Sequence, residues 1–453
     1  MQDLPRRIGF WGGSAIMVGI IIGSGIFRQP AAIAKEMGSP SAILWLWVAG
    51  GALALLGALT YAELATMYPR SGGIYVYLNE GLGRPVAFVF GWTYMLITKP
   101  FAAAGIATVF AEHVNKLCGV SWDPRILTCV LLVALTVVNV IGTRLGAGVA
   151  VVFTALKLGA LILIVALGVI LMKGSAAHFA ASPASKTFMA ALAPVMLAIL
   201  WTYDGWSDVS AIAGEVTEPQ RRIPRILLTG TLAVTVIYVA VNAVYISLVP
   251  LPEMAVVKGG TVAPVVMERL LGPAGAVIVT IMILVSTAGA SHGAVITGAR
   301  ITFAQARDGL LFRFLGRIHP TCETPDVSLW VQCILSCAAS LFLGNFSALA
   351  DGFTFTMWIF YAMAGIAMIV LRLRRPDLER PCRCWGYPVV PALFVASALF
   401  VTVLTVWQDG SNPESRGANT LPWIGLLVAG VPVYYLWRKI TSTTPAAAPP
   451  PPP

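Results

Sequence analysis

Long apolar runs alternate with short polar connectors along almost the whole chain. Twelve of these runs approach or exceed the roughly 20 residues that a helix needs to cross a bilayer. The pattern predicts an all-α polytopic membrane protein with twelve transmembrane helices. The predicted spans lie at about 8–35, 41–68, 84–112, 124–142, 148–172, 187–213, 224–250, 272–304, 326–343, 348–372, 387–407 and 420–438.

Lysine and arginine are unequally divided between the two sets of connectors. With the N-terminus inside, the inner connectors carry 19 of these residues and the outer ones carry 8, out of 30 in the chain. This bias predicts cytoplasmic N- and C-termini in the cell (inner) membrane. Charged residues make up only 11% of the chain, against roughly 25% in soluble domains. The formal charge of +10 therefore indicates membrane orientation rather than binding to nucleic acid.

Residues that commonly hold metals or perform catalysis are scattered. The four histidines are far apart in sequence, and the closest cysteines are Cys382 and Cys384. Neither pattern matches a zinc motif, so the sequence predicts no enzyme, no metal and no cofactor. The segment 441–453 consists of small residues and proline, and is predicted to form a disordered cytoplasmic tail.

The first predicted span contains Gly-Ser-Gly at 23–25. Glycine destabilises a helix, and unwound backbone inside a membrane is tolerated only where it is buried or lines a cavity. Amides at the start of the resumed helix would then favour an anion such as a carboxylate. The alternative is that these glycines only permit close helix packing.

A second interruption lies five spans later, at Asp204 and Gly205 of the sixth predicted span. Glycine-interrupted spans in corresponding positions of two halves indicate a transporter site near the middle of the bilayer. Carbonyls exposed here would accept hydrogen bonds from an ammonium group. A carboxylate at the first break and an ammonium at the second describe an α-amino acid. Asp204 is expected to cap the resumed helix or to join a hydrogen-bond network.

Several motifs resemble the amino acid–polyamine–organocation superfamily and, within it, the L-type amino acid transporter family. The resemblance covers about 8–440, and the order and spacing of the motifs make it specific. The motifs are Gly-Ser-Gly-Ile-Phe at 23–27, Tyr-Pro-Arg-Ser-Gly-Gly at 68–73, Lys99-Pro100, Ala-Leu-Lys-Leu at 155–158, Tyr-Asp-Gly-Trp at 203–206, Glu-Val-Thr-Glu-Pro at 215–219, Ala-Arg-Asp-Gly at 306–309, Ile-His-Pro at 318–320 and Arg-Pro-Asp-Leu-Glu-Arg-Pro at 375–381.

This resemblance implies a leucine-transporter type fold within a transmembrane domain at 1–440. Two inverted repeats, at 8–172 and 187–372, would surround a central site and include discontinuous first and sixth helices. Two accessory helices would follow at 387–438. The resemblance also implies sodium-independent transport, commonly by obligatory exchange.

Lys157 stands alone in the apolar fifth span, where a charge is costly in lipid. In the family a lysine at this position takes the place of a bound sodium ion, so we expect it to bridge the first and eighth spans. It could act as a fixed charge, or it could lose its proton and so couple transport to protons. His292 of the eighth span is another possible titrating group, although we expect a neutral, hydrogen-bonded histidine there. Trp201 matches an aromatic residue that covers the substrate. The predicted substrate-binding residues are Ile20, Gly23, Ser24, Gly25, Ile26, Trp201, Thr202, Tyr203, Asp204 and Gly205.

Two further basic residues lie within the predicted spans. Arg28 replaces the neutral residue common at this position in the family. It could attract acidic groups in the vestibule, but we expect it to extend outward to the membrane surface. Lys99 precedes Pro100 and is expected to form a structural ion pair rather than to contact substrate.

The leading hypothesis is sodium-independent exchange of neutral L-amino acids by a monomer in the lipid bilayer. Proton-coupled symport, transport of amines or polyamines, and amino acid sensing without transport remain as alternatives. Animal members of the family pair with a single-span glycoprotein through a cysteine between the third and fourth spans, where Cys118 lies. We nevertheless predict no such partner, and a heavier disulfide-linked species on non-reducing gels would contradict this.

Overall fold

A computed structural model describes residues 5–180, 186–344, 346–412 and 419–443, without the side chains of 143–147, 258 and 441–443. The described residues form helices joined by short turns. In chain order the α-helices are α1 Phe10–Ile21, α2 Gly25–Glu36, α3 Pro40–Met67, α4 Ile74–Gly81, α5 Arg84–Thr93, α6 Lys99–Cys118, α7 Pro124–Ile141, α8 Thr143–Ile170, α9 Phe188–Tyr203, α10 Pro219–Leu248, α11 Leu251–Ala255, α12 Val262–Leu271, α13 Pro273–Arg307, α14 Asp326–Leu343, α15 Phe346–Arg374, α16 Val389–Ser411 and α17 Leu421–Thr443.

Eleven helical segments of the described chain are long and apolar enough to cross a membrane. They coincide with the first eleven predicted spans, so the all-α polytopic fold is confirmed. The twelfth predicted span corresponds to α17, which has 23 residues but is not among the eleven. Its prolines, tyrosines and tryptophans dilute the apolar character on which that criterion depends. Helix α17 also runs to Thr443, three residues into the predicted tail, and 444–453 lie outside the described residues.

Both predicted helix breaks are present. Helix α1 ends at Ile21 and α2 begins at Gly25, while α9 ends at Tyr203 and continues as a 3-10 helix at Trp206–Ser210. Gly205 joins these two pieces with a φ of 107°, a left-handed conformation that favours glycine. The lack of a side chain at Gly25 matters for another reason, because a Cβ there would lie 2.6 Å from the Thr202 hydroxyl oxygen and 2.9 Å from its Cα. Glycine thus lets the start of α2 pack against the end of α9.

The interior of the bundle is formed mainly by α1, α6 and α13. Helix α13 packs against α1, α6 and α8, and α1 also packs against α10. Large apolar side chains point away from this core on the outer helices, for example Val130 of α7, Ile162 of α8 and Val403 of α16. Such surfaces suit a hydrocarbon environment. The first predicted repeat, 8–172, contains α1–α8. The second, 187–372, contains α9–α14 and all but the last two residues of α15. The repeat boundaries stay a prediction.

Candidate functional site

The two helix breaks meet at a pocket in the interior of the bundle. Its cavity volume is about 30 Å³, so the site is nearly closed in this structure and much smaller than the roughly 300–1,000 Å³ of small-molecule sites. One wall comes from α6, one from α13 and one from α15. The lining residues are Ile20, Ile21, Gly23, Ser24, Gly25, Lys99, Ala102, Ile106, Trp201, Asp204, Ala294 and Phe353.

Six of the ten predicted substrate-binding residues line this pocket. They are Ile20, Gly23, Ser24, Gly25, Trp201 and Asp204. The other four are not among the lining residues. Ile26 is fully buried in the core, Thr202 donates to the carbonyl of Ala198 at 2.8 Å, and the Tyr203 hydroxyl donates to the carbonyl of Trp47 at 3.0 Å. Gly205 lies against Ile20 and Ile21 and shapes the second break.

The first break leaves several hydrogen-bond donors without a partner. The amides of Ser24, Gly25 and Ile26 have no acceptor among the described residues. The Ser24 hydroxyl is buried and likewise has no partner there. Helix starts leave such amides free, and the helix dipole makes them favourable for an anion. The first break can therefore bind a carboxylate through backbone and side chain together.

The second break leaves acceptors. Within the described chain, no amide donates to the carbonyls of Thr202 and Tyr203 at the end of α9. Asp204 does not cap the resumed helix: the residue before the 3-10 helix is Gly205, and no side chain caps it. The Asp204 carboxylate instead accepts from the Tyr361 hydroxyl at 2.6 Å, and that hydroxyl also lies 2.9 Å from the Ser207 hydroxyl. Asp204 therefore belongs to a network, the other role expected for it.

Lys157 fastens α8 to the first break. Its ammonium donates to the carbonyls of Gly19 at 2.6 Å, Ile22 at 2.9 Å and Ser286 at 3.0 Å. These three bonds match the three protons of an ammonium. The residue is 1% exposed, so the charge is screened from solvent and held by backbone dipoles of α1 and α13. Lys157 thus brings one buried positive charge against carbonyls of α1, of the first break and of α13.

His292 is buried on α13, at a different place from the Lys157 acceptors. Its Nδ1 lies 3.1 Å from the side-chain amide nitrogen of Asn139 on α7. The Asn139 amide also donates to the carbonyl of Leu135 at 2.8 Å. In this arrangement the histidine joins α13 to α7.

A buried ion pair connects the pocket wall to the second break. Lys99 of α6 pairs with Asp208, which also accepts from the Thr297 hydroxyl at 3.1 Å. An ion pair was expected for Lys99, but its partner was not identified, and neither was its position in the pocket wall. Asp208 follows Asp204 by four residues in the same apolar span, which is the signal that could have revealed it.

Aromatic rings and a second ion pair cover the pocket on the α2 side. The Trp201 ring lies 5.2 Å from that of Phe353 and 5.5 Å from that of Phe346, both nearly perpendicular to it. The Arg28 guanidinium lies 4.7 Å from the centre of the Phe346 ring and pairs with Glu112 of α6. The expectation that Arg28 simply extends outward was therefore wrong, because a carboxylate and a ring hold it over the pocket.

On the opposite side, near the start of α1, the bundle is closed by Glu215 and Arg300. Their two hydrogen bonds measure 2.9 and 3.2 Å, and both side chains are almost fully buried. The carbonyl of Glu215 also accepts the amides of Arg7 and Ile8, each at 2.9 Å. These contacts join α13 to the segment before α1 and separate the pocket from that end of the protein.

Comparison with known proteins agrees with this architecture. A family model described as amino acid permease matches residues 8–430. The serine/threonine exchanger SteT of Bacillus subtilis (strain 168) is 33% identical over 446 residues, covering 97% of this chain and 98% of the relative. The b(0,+)-type amino acid transporter 1 of Mus musculus is 32% identical over 414 residues, covering 90% and 84%. The cystine/glutamate transporter of Homo sapiens is 30% identical over 447 residues, covering 96% and 87%.

A pocket between two broken helices in a polytopic helical bundle defines a membrane transporter. The match over 8–430 shows which one: the chain belongs to the amino acid permease family. The resemblance drawn from the sequence motifs is thereby confirmed. The protein is an amino acid transporter of the membrane and not an enzyme.

Proposed function

We propose that the protein exchanges neutral L-amino acids across the membrane without sodium. The substrate carboxylate binds the free amides of Ser24, Gly25 and Ile26 and the Ser24 hydroxyl. The ammonium binds the carbonyls at the end of α9. The observation that carries this proposal is the presence of unpaired donors at one break and unpaired acceptors at the other, beside one pocket.

Sodium independence is supported by the surroundings of Lys157. Its ammonium already occupies carbonyls of α1 and α13, as a bound cation would. With this fixed charge in place, no bound sodium ion is needed to hold the carbonyls of the first break in position. Proton-coupled symport is the second candidate, because Lys157 and His292 are both buried titratable groups near the centre of the bundle.

The residues of the pocket walls support the proposal that the substrates are small and neutral. Gly23, Ala102 and Ala294 leave room, while Trp201 and Phe353 limit it. Lys99 is neutralised by Asp208, so its charge is already paired within the wall. The serine/threonine exchanger matched over nearly the whole of both chains agrees with this choice. We further propose that the termini are cytoplasmic and that the protein is a monomer in the cell membrane without a glycoprotein partner. Cys118, the cysteine between the third and fourth spans, is exposed at the end of α6, and we propose that it forms no disulfide with such a partner.

The proposal predicts that both charged groups of the substrate are required. Purified protein in liposomes loaded with alanine should take up labelled alanine, and unlabelled alanine should compete. Ethylamine lacks the carboxylate and lactate lacks the ammonium, so each should compete at least about tenfold more weakly, because charge-assisted hydrogen bonds are lost.

Competition by ethylamine as strong as that by alanine would show that the first break does not bind a carboxylate, and would favour the amine-carrier alternative. Competition by lactate as strong as that by alanine would show that the carbonyls at the end of α9 do not bind the substrate ammonium. Because all three compounds carry the same methyl side chain, differences in side-chain fit do not explain the result.

A further inference from the structure

A basic groove lies on the outer surface of the bundle between the starts of α1 and α10, and it shares no residue with the substrate pocket. Its walls include Phe10 and Trp11 of α1 with Arg221, Arg222, Arg225 and Thr229 of α10, and the remaining lining residues are Gly9, Gly12 and Glu218. We refer to the first six residues as the basic groove. Trp11 is 80% exposed, which is unusual for so large an apolar side chain unless it faces lipid or a partner.

The positive charge of the groove is only partly neutralised. Arg222 pairs with Glu218 at 3.3 Å and donates to the Thr217 hydroxyl at 2.5 Å. Arg221 and Arg225 are exposed and have no carboxylate partner among the described residues. Two guanidinium groups one helical turn apart are therefore available for an anion, and guanidinium groups bind phosphate oxygens in a bidentate manner.

An apolar strip continues from the two free arginines along α10. Arg221, Arg225, Thr229, Leu232 and Val236 follow at intervals of three or four residues, so they share one face of the helix. Leu232 is 55% exposed and Val236 is 62% exposed. The face thus changes from charged to apolar along the helix, as the interface of a bilayer does. Trp11 at the charged end suits the headgroup level, where tryptophan is enriched.

We propose that the basic groove binds the headgroup phosphate of an anionic phospholipid. Arg221 and Arg225 contact the phosphate, Trp11 lies at the headgroup level, and an acyl chain runs along Leu232 and Val236. Contact between the acyl chain and the exposed Leu232 and Val236 favours a lipid over a soluble phosphate, which has no acyl chain. The bound lipid joins α10 to α1, whose Gly19 carbonyl is held by Lys157 at the other end of the helix.

The test is native mass spectrometry of the whole protein in detergent, with phosphatidylglycerol or phosphatidylcholine of identical acyl chains. Wild type should retain phosphatidylglycerol preferentially. The double variant Arg221→Gln/Arg225→Gln should lose roughly tenfold or more of that preference, since each basic residue near an anionic lipid adds to the attraction. Arg221→Lys/Arg225→Lys keeps the charge and should retain most of it.

Arg313→Gln/Arg383→Gln is the matched control, because it removes two exposed arginines outside the groove. It should retain phosphatidylglycerol as wild type does. Equal losses in the two glutamine variants would show diffuse electrostatic attraction and overturn the proposal. So would the absence of any preference in wild type. Displacement of the lipid by millimolar inorganic phosphate would assign the groove to a soluble anion instead.

Discussion

Exchange of alanine is expected to fall by at least about 100-fold in a Lys157→Ala variant that still inserts and folds. The substitution removes three charge-assisted hydrogen bonds to Gly19, Ile22 and Ser286. Each such bond contributes about 1.5–3 kcal/mol, and about 1.4 kcal/mol corresponds to a factor of ten. Without the ammonium, no hydrogen bonds of Lys157 hold the first break against α8 and α13. The amides proposed to bind the carboxylate then lose their position. The measurement is the initial rate of labelled uptake into loaded liposomes.

Thr154→Val is a matched control for this variant. Thr154 lies one turn before Lys157 on α8, and its hydroxyl donates to the carbonyl of Ala15 at 2.8 Å, so it joins the same two helices by one neutral bond. Its loss should cost about 1 kcal/mol and reduce exchange only a few-fold. Equal effects of the two substitutions would mean that Lys157 contributes only to packing between α8 and α1.

The largest loss of stability is expected when one partner of the Glu215–Arg300 pair is removed. Either Glu215→Ala or Arg300→Ala leaves an uncompensated buried charge, at a cost of about 3–5 kcal/mol. The Glu215 change also disturbs the turn whose carbonyl accepts the amides of Arg7 and Ile8. Thermal unfolding of the purified protein in detergent measures the effect.

Two comparisons make this prediction specific. The double variant Glu215→Leu/Arg300→Met removes both charges and should recover much of the loss, because no buried charge is left unpaired. The exposed pair of Arg7 and Glu323 has side chains 39% and 48% exposed, and Glu323→Ala should change stability by less than about 1 kcal/mol. A single Arg300→Ala variant as stable as wild type would show that water reaches the pair.

The fold could be predicted closely from the sequence because its main signals are local. The length of each apolar run identifies a membrane span. Glycines next to a polar residue identify the position of a helix break, as at Ser24 and Asp204. Both signals are contained in about twenty consecutive residues. The twelfth predicted span shows the limit of that signal, since proline and aromatic residues weaken the apolar character of α17.

The walls of the site were less predictable because they depend on distant pairs. Lys99 and Asp208 are 109 residues apart, and Arg28 and Glu112 are 84 residues apart. No local pattern identifies such partners. Phe353 belongs to an ordinary apolar stretch of α15, and only the packing against Trp201 brings it to the pocket. Four predicted residues, Ile26, Thr202, Tyr203 and Gly205, do not line the pocket, because the faces of a broken helix cannot be assigned without its neighbours.

The most direct test of the account is sodium-free counterflow in liposomes. Wild type protein should take up labelled alanine rapidly into liposomes loaded with unlabelled alanine and only slowly into empty ones. Neither sodium nor an inward proton gradient should change the rate, because Lys157 acts as a fixed charge. Rapid uptake into empty liposomes that requires an inward proton gradient would contradict exchange and establish a symporter; dependence on sodium would contradict the role assigned to Lys157.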